Sequence, residues 1–521
     1  MEAGKEVSKS DPAAKTVAAI DVGSNSIRLV VAQVSADGRI EPLERLQRAV
    51  RLGQDTFRRG RLGAQNMRAA LGVLRDFRQV LQLYQVERIR AVATSAVREA
   101  GNADTFLDRI FMATGLHVEV IATSEESRLT VSAVRQSLGS ALGVNDGRTL
   151  IVDVGGGSTL LTVLDRGEID TSQSLSLGSI RLQENLSTSQ ETAKRAAELL
   201  RQEIVNETLP LHESLSLGSI ESFVAVGGDA RFAAAQIGKP SAAAQLTTVD
   251  REDLDKLVRR CLRHTTEELA KRYNLQFAEA ETLNPALLAY QILLQKTKAR
   301  QVIVSDVSLR DGLLLELARA VTGQEDEALL KGVLHSAMAI GQKYHVDHGH
   351  AQNVADLAVC LFDQLQADHG LSARHRLLLM VAGLLHEVGS VVSSRAHHKH
   401  SLYLISNSEI FGLNRDEIVI VAHVARYHRR SPPKLSHIEY MTLSRETRVV
   451  VNKLAALLRV ADALARGHVQ IAADLRFERQ GDELVIHVPG GVDLLLEQRA
   501  IATNADLFED IYGLKVRLEQ V

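Results

Sequence analysis

The sequence predicts an α/β protein of two related lobes, followed by an all-α domain and a small α+β segment at the C-terminus. Three observations predict this arrangement. A strand-turn-strand pattern that begins near Ala19 recurs 132 residues later, near Ile151. Short β-rich stretches alternate with helical periodicity up to about Ala320, which is typical of α/β lobes. From about Ala328 to Arg466, amphipathic helical patterns with almost no strand signal carry most of the 18 histidines.

The composition is that of a folded, soluble protein. Apolar residues make up 45% of the chain and charged residues 24%, close to the average for globular domains. The first residues, MEAGKEVSKSDPAAK, lack an apolar signal region, and no stretch reaches the roughly 18 apolar residues that a membrane helix needs. A formal net charge of −3 argues against a general nucleic-acid binder. We therefore expect neither a membrane nor a nucleic acid as partner.

The cysteines indicate the compartment. Cys261 and Cys360 are far apart in helical-looking sequence, which supports neither a disulfide framework nor a cysteine metal site. A reducing compartment fits this usage, and we expect a cytoplasmic location.

The patterns divide the chain into five segments. Residues 1–16 are polar and are predicted to be a flexible tail. The remaining segments are lobe I at 17–133, lobe II at 134–320, the helical domain at 321–470 and the small α+β segment at 471–521.

The repeat itself contains an acid, a glycine and a serine at fixed spacing. Each copy reads as strand, tight turn, strand, turn and strand, as in AIDVGSNSIRLVV and IVDVGGGSTLLTV. Two unrelated hairpins with similar turns would explain the match by chance, but duplicated lobes explain the joint recurrence better. The matching pairs are Asp21 with Asp153, Gly23 with Gly155, and Ser26 with Ser158.

These turns predict a phosphate site. Each places a carboxylate at the end of a strand, removes side chains at glycine, and offers a hydroxyl with several backbone N–H groups, which together form an anion-binding nest. Two such turns across a cleft would hold a phosphate from both sides, and Asp21 and Asp153 would hold magnesium. A single glycine-rich turn more often only reverses the chain, so the duplication carries this prediction.

Two segments between the repeats add candidate side chains. ATSAVREAGN places Arg98 and Asn102 just after a predicted strand, and IATSEESRL places Glu125 and Glu126 where a strand gives way to a helix. An arginine binds phosphate oxygens through two parallel hydrogen bonds, and a glutamate near phosphorus deprotonates an attacking water. Acids at a helix start are more often explained by the helix dipole, so these two become candidates through their neighbours.

With these residues in view, the sequence resembles the exopolyphosphatase/guanosine pentaphosphate phosphatase (Ppx/GppA) family, a branch of the actin-like, ribonuclease H-like superfamily. The resemblance runs from about Val17 through the helical domain. Its landmarks are seven segments in the order of the family: AAIDVGSNSIRLVV, ATSAVREAGN, EESRL, LIVDVGGGST, SLGSIRL, AVGGDAR and VSDVSLRDGLL.

The resemblance implies a reaction and its residues. Water attacks the terminal phosphorus of inorganic polyphosphate or guanosine pentaphosphate, with Glu126 favoured over Glu125 as the base, Asp153 and Asp21 on magnesium, and Arg98 stabilising charge. It leaves open whether potassium accompanies magnesium, and it implies a homodimer. The substrate-binding residues it implies are Gly23, Ser24, Asn25, Ser26, Asn102, Gly155, Gly156, Gly157, Ser158 and Gly228.

The sequence departs from the family pattern at three positions. Leu160 stands where an acid is usual after GGGST, Asp229 follows Gly228 where threonine is usual, and Asp311 replaces a glutamate. An apolar residue binds no metal, and an added carboxylate repels a polyanion. The departures at Leu160 and Asp229 keep open a regulator that binds polyphosphate or an alarmone with little turnover. An actin-like ATPase or kinase also stays open, because a two-lobed phosphate site alone does not distinguish it from a phosphatase.

The helical domain resembles the HD phosphohydrolase fold. The resemblance maps a metal-binding signature onto His350, the pair His386 and Glu387, and Asp462, with His400, His423 or His428 as a further position. Imidazoles and carboxylates are common ligands of divalent metals. The pair is His-Glu rather than His-Asp, so a structural role for the histidines at helix contacts is the alternative.

Overall fold

The structure is a computed structural model that describes residues 14–138, 147–211, 215–240, 246–322, 327–429, 431–467, 475–488 and 494–520. The chain divides into two compact units, Met1–Asp326 and Glu327–Val521. Within the described ranges, no helix is both long and apolar enough to cross a bilayer. Of the predicted tail, residues 1–13 lie outside the described ranges, and the first strand already begins at Lys15, paired with Val34.

The first unit contains two mixed sheets. In the described residues the first sheet has the order β3-β2-β1-β4-β5 and the second the order β10-β11-β12-β9-β6-β7-β8. The strands of the first sheet are β1 Lys15–Val22, β2 Ser26–Val34, β3 Ile40–Ala49, β4 Arg88–Ala93 and β5 Val118–Val120. Those of the second are β6 Arg148–Val154, β7 Thr159–Asp165, β8 Glu168–Leu175, β9 Ser222–Val226, β10 Lys239–Pro240, β11 Thr247–Asp250 and β12 Gln301–Ser305.

The two sheets share one topology, as the repeat predicts. In each, an antiparallel three-stranded meander (β1-β2-β3 and β6-β7-β8) is followed by a parallel strand beside its first member, β4 beside β1 and β9 beside β6. A further parallel strand follows, β5 beside β4 and β12 beside β9. Asp21 lies near the end of β1, and Asp153 lies near the end of β6, the first strand of the second copy. The two acids therefore occupy equivalent positions.

Helices connect and cover these sheets. The long ones are amphipathic or buried, and their ends carry ordinary signals, such as the capping box between Thr265 and Glu268. They are α1 Leu52–Arg59, α2 Ala64–Leu83, α3 Ser95–Arg98, α4 Ala103–Thr114, α5 Thr123–Leu138, α6 Ser179–Leu186, α7 Ala193–Thr208, α8 Gly228–Ile237, α9 Arg251–Cys261, α10 Thr266–Tyr273, α11 Phe277–Gln295 and α12 Leu309–Thr322.

The cores of the first unit do not follow the predicted lobe boundary. One face of the first sheet is covered by α2 and α4, and the other by α5 and α12. Helix α12 lies in the segment predicted as lobe II, 134–320, yet Leu313 and Leu314 pack on Val17 and Ala19 of β1. The chain therefore returns to the first sheet, because that sheet has a second apolar face to bury.

The second unit is mainly helical, as its sequence predicts. Its helices are α13 Glu327–Lys343, α14 His348–Gln364, α15 Gln366–His369, α16 Ala373–Leu385, α17 His397–Ser406, α18 Arg415–Arg426, α19 Ile438–Met441, α20 Arg445–Leu464, α21 Leu495–Asn504 and α22 Asp506–Tyr512. A small sheet, β13 Arg476–Gln480, β14 Glu483–Val488 and β15 Lys515–Gln520, has the order β13-β14-β15. Ile486 and Phe508 share one apolar core with the long helices, so the α+β segment is built onto the helical domain.

Candidate active site

The two repeated turns have the same backbone geometry. The N–H of Gly23 donates to the carbonyl of Ser26 at 3.1 Å, and the N–H of Gly155 donates to that of Ser158 at 2.9 Å. Each turn follows a strand that ends just beyond its aspartate. The structure thus forms both turns that the sequence predicts, with the same closing hydrogen bond.

The turns lie against each other across a cleft between the two sheets. A Cβ added to Gly156 would come within 3.0 Å of the Ser24 side chain, and one on Gly157 within 2.1 Å of the Ser95 hydroxyl. A Cβ on Gly178 would meet the backbone of Gly157 at 2.1 Å. Only glycine fits this approach, which explains the run GGG in the second copy.

The cleft has a volume of about 570 Å³. Most of the predicted site residues line it together, and the hydroxyls of Thr94, Ser95 and Ser179 join them. The predicted residues that line it are Asp21, Gly23, Ser24, Asn25, Ser26, Glu126, Asp153, Gly155, Gly156, Gly157, Ser158 and Gly228.

Asn102 is not among the residues that line this cleft, and the binding role implied for it stays a prediction. Its carboxamide accepts a hydrogen bond from the N–H of Leu62 at 2.8 Å and donates to the carbonyl of Leu62 at 3.0 Å. The side chain therefore fastens the segment between α1 and α2 to the start of α4.

The two adjacent glutamates have different environments. Glu125 points away from the cleft and pairs with Arg128 and Arg90 at 2.7 and 3.1 Å. Burial raises the pKa of its carboxyl, but these two arginines together bring that pKa below its ordinary value. Glu125 is therefore an ionised partner in a buried ion-pair cluster with Glu316.

Glu126 faces the cleft and has the opposite electrostatics. The pKa of its carboxyl is raised to about 7, mainly by burial, while Arg98 lowers this pKa and the charges of Asp21 and Asp153 help to raise it. Arg98 donates to Glu126 at 2.9 Å and to the carbonyl of Ile121 at 2.7 Å, and it is not among the residues lining the cleft. Arg98 thus orients a carboxyl whose pKa suits proton transfer near neutral pH.

The two aspartates form the acidic floor of the cleft. Asp21 lies 3.8 Å from Arg28, and the hydroxyl of Thr130 donates to Asp153 at 3.5 Å. Burial raises the pKa of Asp153 to about 6, although Arg231 and Arg28 lower it. Carboxylates gathered in a partly buried cleft fit a hard divalent cation, because bound positive charge removes their mutual repulsion.

The positively charged side chains of the cleft were not predicted from the sequence. Arg28 and Arg231 line it, and Arg310 lies beside them with its Nε and Nη1 buried and without a hydrogen-bond partner. Burial and the neighbouring Arg28 lower the pKa of Arg310 to about 10. Arg28 had a detectable signal, because the tight turn pairs it in register with Asp21.

The three departures from the family pattern have distinct surroundings. Leu160 lines the cleft and is paired in register with Asp153. Asp229 also lines it, accepts a hydrogen bond from Thr282 at 3.0 Å, and has a pKa that burial raises to about 6. Asp311 instead caps the start of α12, where it accepts from the N–H and hydroxyl of Ser308.

In the second unit, part of the predicted histidine signature comes together. His350, His386 and Glu387 offer ligand atoms within 4.8 Å of one another, and this group contains neither His400 nor His423. His423 stacks instead on the ring of Tyr427.

Comparison with known proteins identifies relatives that align with most of the chain. A guanosine-5'-triphosphate,3'-diphosphate pyrophosphatase of Vibrio vulnificus (strain YJ016) is 26% identical over 482 residues, which cover 90% of this chain and 91% of that protein. The protein of the same name from Vibrio parahaemolyticus serotype O3:K6 (strain RIMD 2210633) is 24% identical with the same coverage.

A solved structure shows the shared fold. The crystal structure of an exopolyphosphatase from Cytophaga hutchinsonii superposes with a TM-score of 0.53 at 22% identity, covering 60% of this chain and 99% of that one. The profile of the Ppx/GppA phosphatase family matches residues 30–321, and that of Ppx/GppA phosphatase domain III matches residues 334–507. A chain with these two actin-like lobes and this helical region belongs to the Ppx/GppA phosphatase family.

Proposed function

We propose that this phosphatase removes the terminal phosphate from inorganic polyphosphate or from a guanosine pentaphosphate by direct attack of water. The observation that carries the proposal is Glu126, a buried carboxyl with a pKa of about 7 that faces the same cleft as both Asp-Gly turns. A base of that pKa is half ionised near neutral pH and still binds a proton well.

The cleft offers donors for a phosphate chain on several sides. The backbone of the two turns supplies N–H groups, and the ten-residue helix α8 begins at Gly228 on the cleft wall, where its dipole favours an anion. Arg28 and Arg231 add positive charge. These groups would bind the non-bridging oxygens of the terminal phosphates.

Magnesium fits the acids of the cleft. Asp21 and Asp153 would hold it, and when bound the ion neutralises charge on the phosphate oxygens. The residues of the chain then have separate tasks. Arg98 orients Glu126, Thr130 orients Asp153, and the two turns keep the terminal phosphate in line with the water.

The proposed reaction is a hydrolysis of one phosphoanhydride bond. The oxygen of water forms a new bond to the terminal phosphorus while the bond from phosphorus to the bridging oxygen breaks. Glu126 accepts a proton from the water, and the bridging oxygen leaves with the shortened chain or nucleotide. Orthophosphate is the second product.

The names of the two Vibrio relatives favour a guanosine nucleotide, whereas the name of the solved exopolyphosphatase favours polyphosphate. We test both by measuring orthophosphate release with magnesium for native protein, Glu126→Gln and Glu125→Gln. We expect Glu126→Gln to lose at least ~100-fold in kcat, as general-base removal does. Glu125→Gln should lower stability and keep most of the activity, and loss of kcat in that variant alone would assign the base to Glu125.

A regulator with weak turnover is the second candidate, and Leu160 is the observation that favours it. This side chain is apolar and lines the cleft. Leu160 is on β7, directly opposite Asp153 on the neighbouring antiparallel strand β6. If Leu160 leaves the site impaired, Leu160→Glu would increase phosphate release while Leu160→Met would not. Tight substrate binding with no release by native protein would favour the regulator, and release of phosphate from ATP alone would favour an ATPase.

The homodimer implied by the family resemblance and the cytoplasmic location expected from the cysteine usage stay predictions. Sedimentation of the purified chain tests the homodimer, and a single species of monomer mass would contradict it.

A further inference from the structure

A buried tyrosine lies behind the floor of the cleft, and the phosphatase proposal assigns it no role. Tyr290 is in α11 and is only 2% exposed. Its phenolic oxygen accepts a hydrogen bond from the N–H of Val154 at 3.3 Å and donates one to the carbonyl of Val226. One hydroxyl therefore connects two backbone groups on different strands.

These two strands carry the groups that the proposed reaction uses in the second lobe. The parallel pairing of β6 with β9 ends at the pair Asp153 and Val226. Beyond this pair the two chains follow different paths, because β6 leads into the turn that begins at Gly155, whereas β9 leads through Gly227 into α8. The Tyr290 hydroxyl joins the strands at the point where their pairing ends.

The backbone around this hydroxyl is closely packed. A Cβ added to Gly227 would lie 3.2 Å from the phenolic oxygen and 3.5 Å from Asp153 Oδ1. Gly227 also has a φ of 121°, which a residue with a side chain rarely adopts. The hydroxyl, Gly227 and the Asp153 carboxylate are therefore close neighbours, and a shift of one strand end would move the groups beside it.

A phenol suits this position because a single oxygen both donates and accepts. Burial, followed by the charges of Asp153 and Asp229, raises the pKa of Tyr290 well above its ordinary value. The phenol therefore keeps its proton and stays a donor to Val226. Phenylalanine would fill the same space in the core but would remove this partner from both backbone groups.

We propose that Tyr290 is a positioning residue, whose hydroxyl fixes the spacing between the ends of β6 and β9. It thereby holds Asp153 and the start of α8 at Gly228 in their places around one terminal phosphate and its metal ion. Tyr290 acts through the backbone, since it is not among the residues that line the cleft. This inference rests on the proposed function, in which Asp153 holds the ion and the N–H groups of α8 bind the phosphate.

The test compares Tyr290→Phe with Tyr440→Phe in the full chain. Tyr440 is a buried tyrosine of the second unit that donates to Asn452 at 2.8 Å, so its variant also loses one hydroxyl and one hydrogen bond. Manganese(II) replaces magnesium as the probe, because its electron paramagnetic resonance signal reports the free ion, and orthophosphate is present throughout. Asp153→Asn identifies the part of the manganese binding that belongs to the cleft.

The proposal predicts a change in metal binding as well as in activity. We expect Tyr290→Phe to weaken manganese binding in the cleft about tenfold and to lower kcat by a similar factor, as loss of a group that orients a metal ligand does. The midpoint of the pH profile of kcat should not move, because Glu126 and Arg98 belong to the first lobe. Tyr440→Phe should lower thermal stability and keep native manganese binding and kcat.

Three outcomes would overturn the proposal. Native manganese affinity in folded Tyr290→Phe would leave the tyrosine as a packing residue of the core, and an equal loss in Tyr440→Phe would show a general effect of destabilisation. Manganese binding that Asp153→Asn leaves unchanged would remove the ion from the site that Tyr290 is proposed to hold. If native protein binds manganese through Asp153 but releases no phosphate, the proposed function fails, and the manganese comparison still decides the role of Tyr290. Circular dichroism confirms the folding of each variant.

Discussion

At the residue scale, Glu126 and Glu125 show how burial and partners decide the chemistry of neighbouring acids. Both are buried, yet two arginines lower the pKa of Glu125, whereas one arginine and two aspartates leave that of Glu126 at about 7. A raised pKa means that the folded state binds the proton more tightly than the unfolded chain. Glu126 is therefore suited to proton transfer at a cost in stability.

That cost gives a prediction for the pH dependence of stability. The folded pKa of Glu126 is about 7 against an ordinary 4.5, so its favourable contribution is complete below about pH 4.5 and is lost as pH rises through 7. Glu126→Gln does not titrate. The quantity to follow is the free energy of unfolding of Glu126→Gln minus that of the native protein, both without magnesium. This difference should increase by roughly 3 kcal/mol as the pH is raised from 4.5 to above 7. Urea unfolding measures this difference, and a difference independent of pH would contradict the burial of Glu126.

Arg98 gives a second prediction at this scale. It lowers the pKa of Glu126, so Arg98→Met should move the midpoint of the kcat profile above pH 7, with activity partly recovered at higher pH. Arg135→Met, which removes a more exposed partner of Glu168, is the control and should leave the profile in place. A higher KM with an unchanged midpoint would instead show that Arg98 binds phosphate.

At the element scale, the duplicated strand-turn-strand unit was predictable and much of its surroundings was not. Acid, glycine and serine at equal spacing define each turn locally, so the sequence reveals both. Arg231 and Asn102 depend on tertiary contacts between segments far apart in the chain, with the carbonyl of Val307 and with Leu62 respectively. The packing of α12 on the first sheet was missed for the same reason.

The packing of the residues after β8 against the second turn is testable with glycines. Gly178 has an ordinary extended backbone, but a Cβ there would meet the Gly157 backbone at 2.1 Å. Gly178→Ala should destabilise the protein by about 1–3 kcal/mol and reduce activity, because the turn has to shift. Gly72→Ala, within α2 and with open space around it, should stabilise by about 0.5–1 kcal/mol. Equal stability of the two variants in thermal unfolding would contradict this packing.

At the scale of the whole molecule, the two units have separate apolar cores. One core comprises residues of the second unit, and the others comprise residues of the first. Units with their own cores unfold independently when the energy that couples them is small. The acidic cleft lies wholly in the first unit.

Core truncations should therefore act on separate unfolding transitions. Leu457→Ala, in the second unit, and Leu287→Ala, in the first, each remove a fully packed side chain and should cost about 2–5 kcal/mol. In calorimetry we expect each to lower the midpoint of a different transition by several degrees. One transition that both variants lower equally would show that the units unfold as a single cooperative structure.

Hydrolysis by direct attack of water, with Glu126 as the base, is tested most directly by following the oxygen atom. Native protein is given polyphosphate or guanosine pentaphosphate in ¹⁸O-labelled water, and both products are analysed by mass spectrometry. We expect one labelled oxygen in each released orthophosphate, none in the shortened chain, and almost no release by Glu126→Gln. Label in the shortened chain, or equal release by Glu126→Gln, would contradict the assignment of Glu126 as the residue that activates water at the terminal phosphorus.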